Sequence, residues 1–367
     1  MRRRIFVVAS IWMLFHLYVG FRLLPDLGLG HVGIVAAGVL LALIALSPFV
    51  AFLGMRRDER PIARAVHWVA YVALGFSSIL IVLVLASDVF FLRAWGVRPE
   101  VLAPSLVGMA ALLTAVGAWG AQRPRIVHVA VPIPSLPADL EGFRIVQLSD
   151  LHIGPTIRRP FVQTVVDAAN GLRPDLIALT GDVADGTVPN LRGEVEPLAG
   201  LAAPFGKFYV TGNHEYYWDS AGWTGEVTRL GFDVLTNAHR LLERGKGRLL
   251  VAGVTDASAS HIAGQSSDPV AALAGAPASD VKVLLAHQPR SAFAAQAAGF
   301  DLQLSGHTHG GQYFPFNLLV HFFQPFVAGL HHLEEMWLYV SRGTGYWGPP
   351  IRLGAPSEIT LIELVAQ

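Results

Sequence analysis

The sequence predicts two units of different kind: an N-terminal region of membrane-spanning helices and a C-terminal α/β domain. Three observations carry this. Long apolar stretches fill the chain up to about residue 125, short apolar runs alternate with helical patterns from Phe143 onward, and polar clusters follow most of those short runs. At 367 residues the chain is too long for one average domain, and its composition changes sharply at that point. The expected division is therefore 1–125 and 126–367.

The apolar stretches run over 5–24, 32–55, 66–87 and 101–121, and none contains Asp or Glu. Each is long enough to cross a hydrocarbon layer of about 30 Å as a helix. Buried helices of a soluble protein would show a polar face at period 3.6, whereas these are apolar all round. Arg3, Arg4 and Phe6 ahead of the first stretch also fit a twin-arginine export signal. That alternative lacks a clean small-x-small cleavage site, and three further apolar stretches follow.

Orientation follows from the basic residues. Arg2, Arg3 and Arg4 precede the first stretch, Arg56, Arg57, Arg60 and Arg64 lie between the second and third, and Arg123 and Arg125 follow the fourth. The positive-inside bias puts these on the cytoplasmic side, and an even number of spans returns the C-terminal domain there. The region Asp88 to Glu100, with Arg93 and Arg98, would lie outside, and its polar residues blur the end of the third span.

Lys plus Arg balances Asp plus Glu at 27 each, and there are no cysteines. The neutral balance gives no field favouring nucleic acid. Without cysteine there is no disulfide, thiolate metal site or cysteine nucleophile, so any metal must use nitrogen and oxygen ligands.

In the second unit the predicted strands are Phe143 to Leu148, Asp175 to Thr180, Lys207 to Val210, Leu249 to Val254, Val281 to Ala286, Asp301 to Leu304, Trp337 to Ser341 and Ile359 to Leu364. Helical patterns at Phe161 to Leu172 and Ser291 to Ala298 separate some of them. Asp150 and His152 follow the first strand, Asp182 the second, Asn213 and His214 the third, His287 the fifth, and His307 and His309 the sixth. Ligands of open α/β sheets bind beyond the carboxyl ends of strands, so these clusters are expected to converge.

Taken singly, each cluster also reads as ordinary structure. Asp150-Leu151-His152 and Gly181-Asp182 are common in turns, and an isolated His287 is more often a hydrogen-bonded core histidine than a ligand. His307-Thr308-His309-Gly310-Gly311 says more, because two imidazoles two residues apart can face neighbouring ions. Gly310 and Gly311 serve either a close backbone approach to the metals or a plain turn. Arg158 and Arg159 fit a phosphate clamp, a lipid contact or solvated charges equally.

Together and in this order, the clusters resemble the signature of the calcineurin-like metallophosphoesterase superfamily, from about Val146 to the C-terminus. His307 to Gln312, Tyr339 to Gly345 and Ser357 to Ile359 look closest to a bacterial subgroup containing membrane-associated phosphodiesterases and the UDP-2,3-diacylglucosamine hydrolase. The apolar region ahead resembles the architecture called transmembrane protein with metallophosphoesterase domain. The resemblance implies two packed mixed β-sheets flanked by helices. It implies one ion held by Asp150, His152 and His309, a second by Asn213, His287 and His307, and Asp182 bridging both. It leaves His214 outside the ligand set.

The chemistry agrees with those residue types. Two cations sharing a carboxylate turn a common water into a hydroxide at neutral pH, and a mixed imidazole, carboxylate and amide set favours Mn first, with Fe or Zn next. His214 is then available to protonate the leaving oxygen, with Glu215 either orienting it or capping the following helix. The expected activity is hydrolysis of a phosphodiester or pyrophosphate by a metal-bridging hydroxide. The expected substrate is lipid-linked, because Asp150 follows soon after the last apolar stretch and an apolar run from Phe314 to Leu330 follows the last histidine; packing of that run on the domain's own core or on the spans is the equal alternative. A non-catalytic membrane scaffold or sensor on the same fold would be expected to have lost one of these residues, and all are present. A nuclease on the same scaffold is disfavoured by the charge balance.

Overall fold

The computed structural model describes residues 2–54, 61–90, 95–262 and 266–367. The basic residues Arg56, Arg57, Arg60 and Arg93 lie outside the described residues. Contacts divide the chain into two compact units, Met1–Trp119 with Gly348–Leu353, and Gly120–Trp347 with Gly354–Gln367.

The first unit contains α1 (Arg2–Leu23), α2 (His31–Ala45), α3 (Ser47–Gly54), α4 (Pro61–Val89) and most of α5 (Pro99–Ala121). Among the described residues three segments, Phe6–Asp26, Ile62–Val89 and Pro99–Ala121, are long and apolar enough to cross a bilayer. They mark the chain as membrane-associated. The expected second span, 32–55, is not one helix: it breaks at Leu46 into α2 and α3. Pro48 supplies the reason, because its nitrogen carries no hydrogen for the carbonyl one turn back. Asp88 lies inside α4, beyond the expected end of the third span, because α1 supplies its partners. Arg22 Nε donates to its carboxylate at 2.8 Å and the Tyr18 hydroxyl donates to it as well. A carboxylate in an apolar helix needs such partners.

The second unit runs β1 (Arg125–Ile133), β2 (Phe143–Leu148), α6 (Arg159–Gly171), β3 (Leu176–Leu179), α7 (Val188–Val195), β4 (Lys207–Tyr209), α8 (Asn213–Trp218), α9 (Ser220–Arg229), β5 (Asp233–Val234), β6 (Ala238–Arg244) and β7 (Gly247–Gly253). It continues with α10 (Pro269–Ala272), β8 (Val281–Leu285), α11 (Ala292–Ala298), β9 (Leu302–Ser305), α12 (Phe316–Leu319), β10 (Gly329–Leu333), β11 (Met336–Val340) and β12 (Glu358–Ala366). The strands form two six-stranded sheets ordered β1-β12-β2-β3-β4-β5 and β10-β11-β9-β8-β7-β6. Both are mixed: β12 is antiparallel to β2 and β11 to β10, while β2-β3-β4 and β7-β8-β9 are parallel.

Side-chain alternation explains the layering. Ile145, Leu176, Ala178 and Phe208 face inward and meet Val251, Val283, Leu285 and Leu304 from the other sheet. Val146, Leu148, Ile177 and Leu179 point outward and are covered by Val162, Val165, Trp223 and Val227. The opposite sheet buries Ala252, Leu284 and Leu338 against Ala292, Ala295 and Phe300. The result is a four-layer arrangement of helices, sheet, sheet and helices. All eight predicted strands occur, with ends shifted by up to two residues, and β1, β5, β6 and β10 are additional. Parallel order aligns the carboxyl ends of β2, β3 and β4 in one sheet and of β8 and β9 in the other, which is where the predicted site residues lie.

Candidate metal centre

Five loops, three from one sheet and two from the other, bring the predicted residues together. The lone-pair atoms of Asp150, His152 and His309 lie within 4.8 Å of one another, as do those of Asp182, His287 and His307. His152 Nε2 is 3.0 Å from His309 Nε2, and His309 Nε2 is 3.4 Å from Asp150 Oδ1. In the other group Asn213 Oδ1 is 3.2 Å from His287 Nε2 and 2.9 Å from His307 Nδ1. Asp182 Oδ2 faces both groups, 3.3 Å from His287 Nε2 and 3.7 Å from His152 Nε2.

The backbone is bent to achieve this. Asp150, His152, Asp182, His307 and His309 all adopt positive φ, between 47° and 73°. Such conformations cost about 1–3 kcal/mol each for residues other than glycine, and they persist only where the surroundings hold them. Two glycines admit the carboxylates: a Cβ on Gly212 would fall 2.1 Å from Asp182 Oδ1, and one on Gly306 would fall 2.2 Å from Asp150 Oδ2. Hydrogen bonds complete the support. The His307 amide donates to Asp150 at 3.0 Å, the His214 amide donates to Asp182 Oδ1 at 2.9 Å, and His287 Nδ1 lies 2.8 Å from the Thr180 carbonyl. Donation to that carbonyl directs the other nitrogen of His287 toward Asp182 and Asn213.

Glu215 does not reach His214. Its buried carboxylate accepts from the amides of Gly212 at 2.6 Å, Val183 at 2.8 Å and Asp182 at 3.1 Å, so it caps α8 and ties two loops together. The group beside His214 is Asp185, with Oδ1 2.5 Å from His214 Nδ1 and Oδ2 3.2 Å from His152 Nδ1. Sequence reasoning passed over Asp185. The one available signal was a second acid three residues after Asp182. Arg158 pairs with Glu194 at 2.6 Å, and Arg159 donates to the Gly193 carbonyl at 3.0 Å, so both are engaged with α7 and its neighbourhood. Gly310 and Gly311 adopt φ of 59° and 75°, and a Cβ on Gly311 would strike the backbone of Asn317 at 2.2 Å. The turn therefore packs against α12.

Charge follows this geometry. Burial opposes a charge on His214, but the nearby Asp185 and Asp182 carboxylates outweigh it and raise the imidazole to about 9. Burial opposes a charge on Asp185 too, and His152 and His214 hold it below the ordinary carboxylate range. Burial and then the neighbouring His287 push His307 down to about 4. Asp182 would be raised by burial, yet His287 and His214 draw it well below its ordinary value.

Comparisons with known proteins identify the family. Residues 143–311 match the family model described as calcineurin-like phosphoesterase. An uncharacterized metallophosphoesterase of Aquifex aeolicus is 32% identical over 65% of this chain and 91% of its own length. The chain belongs to the calcineurin-like metallophosphoesterase family. A second bacterial relative, the uncharacterized metallophosphoesterase YkuE of Bacillus subtilis, is 31% identical over 70% of this chain and 92% of that one. The transmembrane protein with metallophosphoesterase domain of Danio rerio is 39% identical over 73% of this chain, and the match spans 63% of that relative.

The donor set of this metallophosphoesterase domain fits divalent cations. Imidazole nitrogens converge on one another and on oxygen acceptors, and a carboxylate faces both groups, an arrangement suited to transition metals over Mg or Ca. The contact between Asp185 and His214 generates a prediction. Asp185→Asn should lower turnover of phosphodiesters with poor leaving groups by about 10-fold or more, while activated aryl leaving groups lose much less. Metal content by elemental analysis and the leaving-group dependence of kcat check this, and a uniform loss across leaving groups would assign Asp185 a purely structural role.

Proposed function

We propose that the chain is a membrane-associated hydrolase of phosphodiester or pyrophosphate bonds that works with two divalent cations. The observation that carries this reading is Asp182 Oδ2, which faces His287 of one donor group and His152 of the other. Asp150, His152 and His309 would hold one ion, and Asn213, His287 and His307 the other, with Asp182 shared. When bound, the cations would supply a water activated near neutral pH and would screen the phosphoryl oxygens. Mn is the preferred identity, ahead of Fe and Zn.

The remaining chemistry belongs to the protein. His214 is outside both donor groups, and Asp185 together with Asp182 favours its protonated form. Its place beside the donor groups suits it to give a proton to the leaving oxygen, with Asp185 fixing the ring through Nδ1. Nε2 is the nitrogen left to give up the proton.

The substrate is proposed to carry a lipid. Part of the apolar run after His309 remains exposed in the fold, with Phe322 at 81% and Phe323 at 75%. The chain also passes from α5, ending at Ala121, to β1, beginning at Arg125, so a short tether separates the apolar helices from the domain. For topology we propose that α2 and α3 together make one crossing, which gives four spans and a cytoplasmic domain. The arginines in the first turn of α1 and after α5 support that side.

Three outcomes test these proposals. Asp182→Ala should abolish metal-stimulated cleavage of an aryl phosphodiester, a loss of at least about 10³-fold in kcat given the shared carboxylate; retained activity in this variant, or in chelated wild type, would refute the two-ion reading. A reporter fused after Gln367 should behave as cytoplasmic, and an external signal would make the number of crossings odd. Matched acylated and deacylated phosphodiesters should differ in kcat/KM in favour of the acylated one, and equal values would remove the lipid from the proposal.

A further inference from the structure

The stretch from Tyr313 to Leu333 contains no Asp, Glu, Lys or Arg. Within the domain some of its residues are packed and others are exposed. Tyr313 and Val327 are buried, Phe326 packs against Phe293 with ring centroids 5.7 Å apart, and the Thr308 hydroxyl donates to the Val327 carbonyl at 2.5 Å. The Thr308 bond holds the segment to the loop that carries His307 and His309, and the Phe326 contact holds it to α11. The exposed residues include Phe314, Phe316, Leu318, Leu319, Phe322 and Phe323, at between 43% and 81%. Water is a poor solvent for such a surface.

Its backbone suits an apolar medium. The amides of Leu318 and Leu319 donate to the Pro315 carbonyl at 2.9 and 3.2 Å, and those of Phe323 and Gln324 donate to the Val320 carbonyl at 3.0 and 2.9 Å. The segment can therefore leave water with these donors already satisfied, the condition that excludes ordinary loops from lipid. Its occupant must be apolar and must not require charge pairing. Among the described residues are three helices long and apolar enough to cross a bilayer, and α5 leads into β1 within a few residues.

We infer that residues 314–323 insert into the lipid interface as a monotopic anchor, with Phe322 and Phe323 at its tip. The anchor joins the membrane to the loop carrying His307 and His309. An acyl-bearing phosphoester can thus pass from lipid to the donor groups along an apolar surface. This inference rests on the membrane-associated reading above, and its direct test is independent of catalysis.

The chain has no cysteine, so one introduced thiol can be labelled cleanly. Full-length Phe322→Cys and Phe323→Cys, each carrying an environment-sensitive fluorophore, are reconstituted in phosphatidylcholine vesicles with and without doxyl-labelled lipid. Lys246→Cys, at an exposed turn of the same domain, reports water, and Leu112→Cys, 57% exposed on α5, reports lipid. The expected result is blue-shifted emission at 322 and 323, quenched by lipid doxylated near the headgroup more than by lipid doxylated deep in the chain. Emission matching Lys246→Cys would overturn the anchor. So would a blue shift that doxyl lipid leaves intact and dilution to one copy per vesicle abolishes, which would make the occupant a second copy of the chain. A positive insertion signal together with equal turnover of acylated and deacylated substrates would keep the anchor and refute only the lipid-linked substrate.

Discussion

Asp182 is fully enclosed, and its carboxylate lies among the imidazoles of His152, His214 and His287, at 3.3 to 3.9 Å, with the His214 amide donating to its other oxygen. A buried charge without partners would cost several kcal/mol. The loops supplying those partners must therefore close around it together. Glu215 ties the amide of Asp182 to that of Gly212, and Gly212 is the residue whose missing side chain lets the carboxylate in. Remove any one of these features and the others lose their reason for being strained or buried.

The two sheets exist, in this light, to bring five loop ends to one place. Neither sheet alone contributes enough: one supplies Asp150, His152, Asp182, Asn213 and His214, the other His287, His307 and His309. The apolar contact between Ile145, Ala178 and Phe208 on one side and Val251, Val283 and Leu304 on the other sets the distance between the loop groups. Interiors are close-packed and yield little. The imidazoles therefore meet across the seam at hydrogen-bonding distances because of packing well below them.

The first unit faces a different constraint. Its helices present many large apolar side chains to their surroundings, and its polar groups survive by pairing with each other, as Asp88 does with Arg22 and Tyr18. Composition alone gave the apolar stretches. Pro48, just past the break at Leu46, is also visible in the sequence, but hydrophobicity summed over a window averages across a proline that matters at one hydrogen bond.

Read by itself, the sequence determined the apolar N-terminal stretches, the eight central strands, and the polar residues at the strand ends that the fold brings together, because each of these is a local pattern: an apolar run, or a polar residue at its end. The strands it did not yield, β1, β5, β6 and β10, are the four sheet edges. Edge strands are short or half-exposed and mix charged residues among apolar ones, as Ala238–Arg244 does, so their pattern fades into that of a loop. Only the tertiary structure decided that Asp185, not Glu215, stands beside His214, and that Arg158 and Arg159 are engaged with Glu194 and Gly193. Those assignments depend on which way a loop turns after it leaves its strand. That turn is set by buried charges and close backbone contacts between segments far apart in sequence, as between Asp150 and His307, 157 residues apart, which no local pattern records.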